Sequence, residues 1–291
     1  MMGEDVVEKY CKAGKILAEV RTEAVKMVKP GVSLLKVAEF AETRIKEKGG
    51  MPAFPCNISR NDIAAHATPS ANDTSVFEDD MVKLDIGVHI DGYIADTAIT
   101  VDLSGNPKLV KASEVALENA IGIIRAGTST VEIGAIIEKT INEFGYKPVA
   151  NLTGHGLDRY VQHAAPSIPN RHVEQGVRLK AGDVIAIEPF ATNGAGHVSE
   201  RGGAEIYRVD RLKPVRLPAA RKLLKDLDEY KGLPFAKRWL CQNKLDFMLN
   251  QLEAAGILHS YPALKEDAGG LISQAEHTLI VEEDGCQVIS R

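Results

Sequence analysis

One stretch of this chain occurs twice. Residues 29–49, running from Lys29 through Gly31 and Ser33 to Ile45 and Gly49, return as residues 125–145, from Arg125 through Gly127 and Ser129 to Ile141 and Gly145. Each copy opens with a glycine and a serine suited to cap a helix, carries an apolar stripe at helical spacing, and stops at a glycine. A further helical run precedes each copy, over about 4–28 and 107–125. The echo continues downstream, where His66 is matched by His163 and Met81-Val-Lys-Leu-Asp85-Ile86 by Val184-Ile-Ala-Ile-Glu188-Pro189. A two-helix, then-strands unit used twice predicts an α/β (α+β) fold with pseudo-twofold symmetry, its antiparallel sheet curved over a central site. The second copy is interrupted: after Glu188 the next apolar strand with an embedded acid is residues 274–281, with Glu276. Residues 208–262 between them predict a helical lobe inserted into the second half, within one domain spanning residues 1–291.

The strongest local signal is a hairpin. Val82–Ile90 and Tyr93–Val101 flank the two-residue turn Asp91-Gly92. Such a turn pairs 90 with 93, hence 85 with 98, and sets Asp96 diagonal to Asp85 on one face, with Cα atoms about 7 to 8 Å apart. Two carboxylates can then converge on one point, which is costly unless protons or cations compensate. The alternative is a pair of solvated strand carboxylates, and a bulge in either arm would turn one of them away.

Composition narrows the classes. With 44% hydrophobic residues, 26% charged residues and a net charge of -5 over 291 residues, the chain is an ordinary globular protein, neither disordered nor a wholesale nucleic-acid binder. No apolar run approaches a membrane span, and the acidic N-terminus has no signal-peptide character, so a cytoplasmic, membrane-free protein is expected. Cys11, Cys56, Cys241 and Cys286 lack metal-ligand spacing and fit reduced thiols.

His155, between Gly154 and Gly156, joins Asp85, Asp96, Glu188 and Glu276 as a ligand candidate, because each acid lies in an apolar strand where an unpaired charge is costly. Four carboxylates and one imidazole suit Mn, Fe(II), Co or Zn, and five such ligands suit two ions about 3.5 to 4 Å apart. His66 and His163 are either satisfied structural histidines or, as a symmetric pair beside such a centre, donors that stabilise an oxyanion or hold a scissile amide. His89, His172, His197, His259 and His277 read as structural. Gly194-Ala195-Gly196 and Gly202-Gly203 do not open a helix after a strand, so they read as turns rather than phosphate loops. Residues 211–244 carry 10 Lys/Arg against 3 Asp/Glu, either a solvated helix face or a contact with ribosomal RNA.

Taken together, the segments Ala53-Phe54-Pro55, Ala64-Ala65-His66-Ala67-Thr68-Pro69, the Asp85/Asp96 hairpin, Gly154-His155-Gly156 with His163 eight residues on, Ala186-Ile187-Glu188-Pro189-Phe190 and Glu276-His277-Thr278 resemble the methionine aminopeptidases of type II, archaeal-like in form. The resemblance covers nearly all of residues 4–291 and implies the pita-bread fold shared with aminopeptidase P, prolidase and creatinase. It implies removal of an initiator methionine from nascent polypeptides when the second residue is small, by a hydroxide bridging two divalent ions. By the same resemblance Asp85 binds one ion, His155 and Glu188 the other, Asp96 and Glu276 bridge, and Glu188 helps take the proton of the attacking water. The 208–262 lobe resembles the type II insertion, which implies a methionine pocket involving Phe54 and Tyr261. Two positions depart from the pattern: Ile206 stands where eukaryotic members place a histidine, and Gln162 where an apolar pocket residue is expected. A monomer is expected, and any ribosome contact would fall to the basic lobe.

Two rival classes share parts of this pattern. A proline-specific peptidase of the same fold would reuse all five ligands but normally carries a large N-terminal domain, whereas about fifty residues precede Phe54. A catalytically dead binding module would have lost ligands, and all five are present.

Overall fold

In the computed structural model, which describes residues 2–240 and 244–291, helix α1 (Glu4–Val25) turns Tyr10, Ala13, Leu17, Val20 and Ala24 inward. That spacing is one face of a 3.6-residue repeat. Helix α2 (Leu34–Glu47) starts where Ser33 accepts a hydrogen bond from Lys36 N, and α4 (Thr130–Glu143) starts at a full capping box between Ser129 and Glu132. Helix α3 (Pro107–Ile121) completes the second pair. The duplication extends to the caps, since Ser33 bridges Val76 and Ser129 bridges Arg178, both antiparallel. The first helix of each pair is shorter than its apolar stripe. Beyond Val25 and Ile121 the chain tightens into turns closed by Val28 N donating to Val25 O and Ile124 N to Ile121 O, so Val28 and Ile124 are buried without being helical.

The hairpin has the expected register. Strands Met81–Ile90 and Tyr93–Asp102 pair Ile90 with Tyr93, Asp85 with Ala98 and Gly87 with Asp96. Its turn places Asp91 at φ 52° and Gly92 at φ 91°, the left-handed pair that matches strand twist. In the second half, strand His277–Val281 pairs with Val184–Ile187, which pairs with Thr153–Asp158, and Val161–Pro169 forms the edge. Glu188 and Glu276 are not embedded in strands as expected. Each lies at a break: Pro189 follows Glu188, and Glu276 sits between Ile272–Gln274 and His277–Val281, its N–H donating to Ala98 O of the other half at 2.9 Å.

A ladder of threonines joins the halves. Thr97 Oγ1 donates to Glu276 O at 2.7 Å, Thr100 Oγ1 to Gln274 O at 2.7 Å, and Thr278 Oγ1 to Asp96 O at 2.8 Å. The acids of both halves are therefore anchored to one seam. One apolar core lies between α1, α2 and the hairpin, a second between α3, α4 and the other sheet. Each fully buried Leu or Ile there contributes about 1.5–3 kcal/mol.

The 208–262 region has its own core, including Leu223, Leu227, Phe235, Met248, Leu249 and Leu252. Helices α5 (Pro218–Leu227) and α6 (Leu245–Ala254) give it the helical character expected of it. The stretch around Ala236–Leu240, expected to be helical, is instead a short strand Phe235–Ala236 and a tight turn Lys237–Trp239. The lobe stands on a two-stranded base, Val198–Val209 against Leu258–Glu266, which carries its rim into the sheet beside Ile63–Ala65. Among the described residues no helix is long and apolar enough to cross a membrane. Cys11, Cys56 and Cys286 are free thiols; Cys241 lies outside the described residues.

Candidate metal centre

Asp85 and Asp96 come from facing arms of the hairpin, Glu188 and Glu276 from the two breaks in the second half, and His155 from the strand beside Glu188. All five line one cavity of about 400 Å³, together with His66 and His163. Asp96, His155 and Glu276 are buried and offer ligand atoms within 4.8 Å of one another. His155 Nε2 lies 3.9 Å from Asp96 Oδ2 and 3.6 Å from Glu188 Oε1. Its Nδ1 is 3.1 Å from Gly156 O, an acceptor only, so Nδ1 carries the proton and Nε2 turns its lone pair to the acids.

Glycine makes this approach possible. A Cβ on Gly154 would stand 2.4 Å from Ala186 O, and one on Gly156 2.1 Å from Ala165 O. The strand carrying His155 thus lies closer to its neighbours than any side chain would permit.

The electrostatics call for a cation. Asp85 Oδ1 and Asp96 Oδ1 are buried with no hydrogen-bond partner among the described residues. Burial pushes Asp85 above the usual carboxylate range, and burial followed by repulsion from Asp85 and Glu188 does the same to Asp96. Glu188 and Glu276 are raised for the same reasons, burial first and neighbouring carboxylates second. Burial also lowers His155 to about 3, leaving it an uncharged imidazole at neutral pH. Buried acceptors without donors, beside a neutral imidazole, fit a divalent cation bound through oxygen and nitrogen.

The histidine pair sits at the rim. His66 follows strand Ile63–Ala65 with φ 62°, and burial, then the nearby His163, lowers it to about 4. His163 is exposed on the edge strand, its ring 4.5 Å from that of His155. Tyr261 stands edge-on to His66 at 5.2 Å, outside the acid cavity. It lines an adjoining hollow of about 200 Å³ shared with Gln162 and His163. Phe54 departs from its expected place in a substrate slot: its ring is buried in the first core against Gly87, where an added Cβ would meet it at 2.1 Å, and it does not line the acid cavity. The space that Gly87 leaves empty is what draws the ring inward.

Two polar residues, Asn57 and Gln274, carry no signal in the sequence reading, and a third, Gln162, stands there only as a departure from an apolar pocket position. Asn57 is paired in register with Asp85 and lines the cavity. Gln162 hydrogen-bonds Asp96, which counters its upward shift, and Gln274 Nε2 donates to Glu188 Oε2 at 3.4 Å. The available signal was slight: Gln274 lies two residues before Glu276.

This constellation has a family. The profile of metallopeptidase family M24 matches residues 8–211. The chain belongs to that family. Among relatives, a methionine aminopeptidase of Archaeoglobus fulgidus is 54% identical over 292 residues, covering 100% of each chain. Among solved structures, a thermophilic Arx1 superposes with a TM-score of 0.89 at 18% identity, over 99% of this chain and 91% of that one. A methionine aminopeptidase of Thermotoga maritima gives 0.74 at 21%, over 100% and 98%. At these identities the structural likeness speaks for the fold, and it is the duplicated pita-bread fold expected from the sequence. The M24 match and the buried acid–imidazole cluster together make this a metallopeptidase framework that binds divalent metal.

Proposed function

We propose that this chain is a methionine aminopeptidase, removing the N-terminal methionine of newly made polypeptides when the second residue is small. The observation that carries the reading is the convergence of Asp85, Asp96, His155, Glu188 and Glu276 on one cavity whose rim holds His66 and His163, in a chain 54% identical throughout to an enzyme of that name.

In this reading Asp85, Asp96, His155, Glu188 and Glu276 would together hold two divalent ions, of cobalt, manganese, iron(II) or zinc. When bound, such ions supply a water that loses its proton near neutral pH and a Lewis acid at the scissile carbonyl. Glu188 would take a proton from the attacking water on a carboxylate oxygen and pass it to the leaving nitrogen. His66 and His163 donate N–H hydrogen bonds to the carbonyl oxygen as charge develops on it. Tyr261, edge-on to His66, bounds the place of the methionine side chain, and the lobe crowds the place of the second side chain.

The same reading treats residues 1–291 as a single catalytic domain with 208–262 as its insertion, acting as a monomer in the cytoplasm, where nascent chains emerge. The exposed Arg211, Lys213, Arg216, Arg221 and Lys222 give the lobe a cationic face for ribosomal RNA, a contact that should weaken steeply with salt. The test of the centre is Asp96→Ala and Glu276→Ala: each should abolish metal-dependent hydrolysis of Met-Ala-Ser and lower the bound metal per chain. Full activity and unchanged metal content would refute the assignment.

A further inference from the structure

A buried ion pair ties the lobe to the turn that presents His66. Arg238, on the tight turn Lys237–Trp239, has a side chain only 3% exposed and pairs with Glu42 of α2, itself 8% exposed. The same guanidinium donates from Nη1 to Thr68 Oγ1 at 2.7 Å and to Pro69 O at 3.1 Å. Thr68 Oγ1 in turn donates to Cys56 O at 2.7 Å, and Ala67 O accepts from Ile58 N at 2.7 Å. Three consecutive residues after His66 are thus held, two of them by one arginine from about 170 positions away.

Glu42 is fixed independently. Its carboxylate accepts from Cys56 N at 3.0 Å and from Trp239 Nε1 at 2.8 Å. Trp239 stacks on Tyr230 at 5.7 Å and Tyr230 on Phe235 at 5.3 Å, so aromatic packing inside the lobe sets where Arg238 and Trp239 arrive. The turn needs such support. His66 is a non-glycine residue at φ 62°, a conformation that persists only where the surroundings impose it. Neither Arg238 nor Glu42 lines the acid cavity.

We infer that Arg238 is a positioning residue, through which the lobe fixes the Ala67–Pro69 backbone and thereby aims the His66 imidazole into the acid cavity. The inference rests on the role proposed for His66. It gives the insertion a part in the chemistry that is separate from crowding the second substrate residue. A guanidinium is required because one planar fork must reach a carboxylate, a hydroxyl and a carbonyl at once.

The experiment is a double-mutant cycle on the metal-reconstituted enzyme with Met-Ala-Ser, combining Arg238→Ala with His66→Ala, with bound metal measured in every variant. Arg238→Ala is expected to lower kcat by about 10- to 100-fold, as for a misplaced catalytic group, with metal content unchanged. In the His66→Ala background it should cause no further loss, because its effect passes through the missing imidazole. Wild-type kcat in Arg238→Ala, or a full additional loss in the double variant, overturns the inference. Wild-type kcat in His66→Ala instead overturns the proposed role of His66. Should Arg238→Ala not fold, Arg238→Lys, which keeps a cation against Glu42 but loses the planar fork that reaches Thr68 Oγ1 and Pro69 O, carries the same cycle and the same outcomes.

Discussion

Asp96 and Thr278 hold each other across the seam between the two halves: the Thr278 hydroxyl accepts from Asp96 N at 2.7 Å and donates to Asp96 O at 2.8 Å. One side chain of the second half thereby sets the backbone that aims a central carboxylate of the first. Thr278→Val keeps the shape and leaves Asp96 N unpaired. It should destabilise the protein by about 1–3 kcal/mol in denaturant unfolding and weaken metal binding by about 10- to 100-fold. Equal unfolding midpoints and equal metal affinity would show that the seam does not position Asp96.

The rim histidines should separate from the ligands in their response to mutation. His66→Ala and His163→Ala are each expected to lower kcat by about 10² to 10⁴, the range for a lost acid–base group or oxyanion donor, with bound metal unchanged. Loss of metal in His163→Ala would make it a ligand, and unaltered rates in both would return the pair to a structural role.

Protons and metal should compete at the centre. Burial holds the carboxyls of Asp85, Asp96, Glu188 and Glu276 above the ordinary range, with repulsion from neighbouring carboxylates adding to it for the last three, so the metal-free site retains protons that a cation must displace. Calorimetric titration in buffers of different ionisation enthalpy at about pH 7 should therefore show net proton release, and affinity should rise with pH. Raised folded values also mean that these groups favour the metal-free fold below their unfolded pKa, about 4, and lose that contribution as pH rises through the folded values. Bound cation removes the loss, so the gain in Tm on adding metal should grow between about pH 5 and pH 8. A gain that shrinks over that range would contradict the charge balance drawn here.

The hairpin was legible because a two-residue Asp-Gly turn leaves no freedom of register: once Ile90 meets Tyr93, the diagonal of Asp85 and Asp96 follows. The paired helices were legible because capping serines and apolar stripes are local. The lobe's base was not. Val198–Val209 carries Gly202-Gly203 with a register shift at that point, and Leu258–Glu266 carries Pro262, features that weaken a strand pattern. The inward turn of Phe54 depends on Gly87, which no periodicity links to it. Gln274, Thr278 and Arg238 were silent for a related reason. Their partners Thr100, Asp96 and Thr68 lie about 170 to 180 residues away, so their roles exist only once the halves and the lobe have closed.

The central claim, metal-dependent removal of methionine before a small residue, is tested most directly by kcat/KM of the metal-reconstituted protein on Met-Ala-Ser, Leu-Ala-Ser, Met-Lys-Ser and Ala-Pro-Ser. Met-Ala-Ser is expected to be cleaved fastest. Leu-Ala-Ser should be slower by an amount consistent with about 1 to 3 kcal/mol of pocket discrimination, and Met-Lys-Ser should not be cleaved, for steric reasons. Preference for Ala-Pro-Ser, or no metal-dependent cleavage of Met-Ala-Ser, would contradict it.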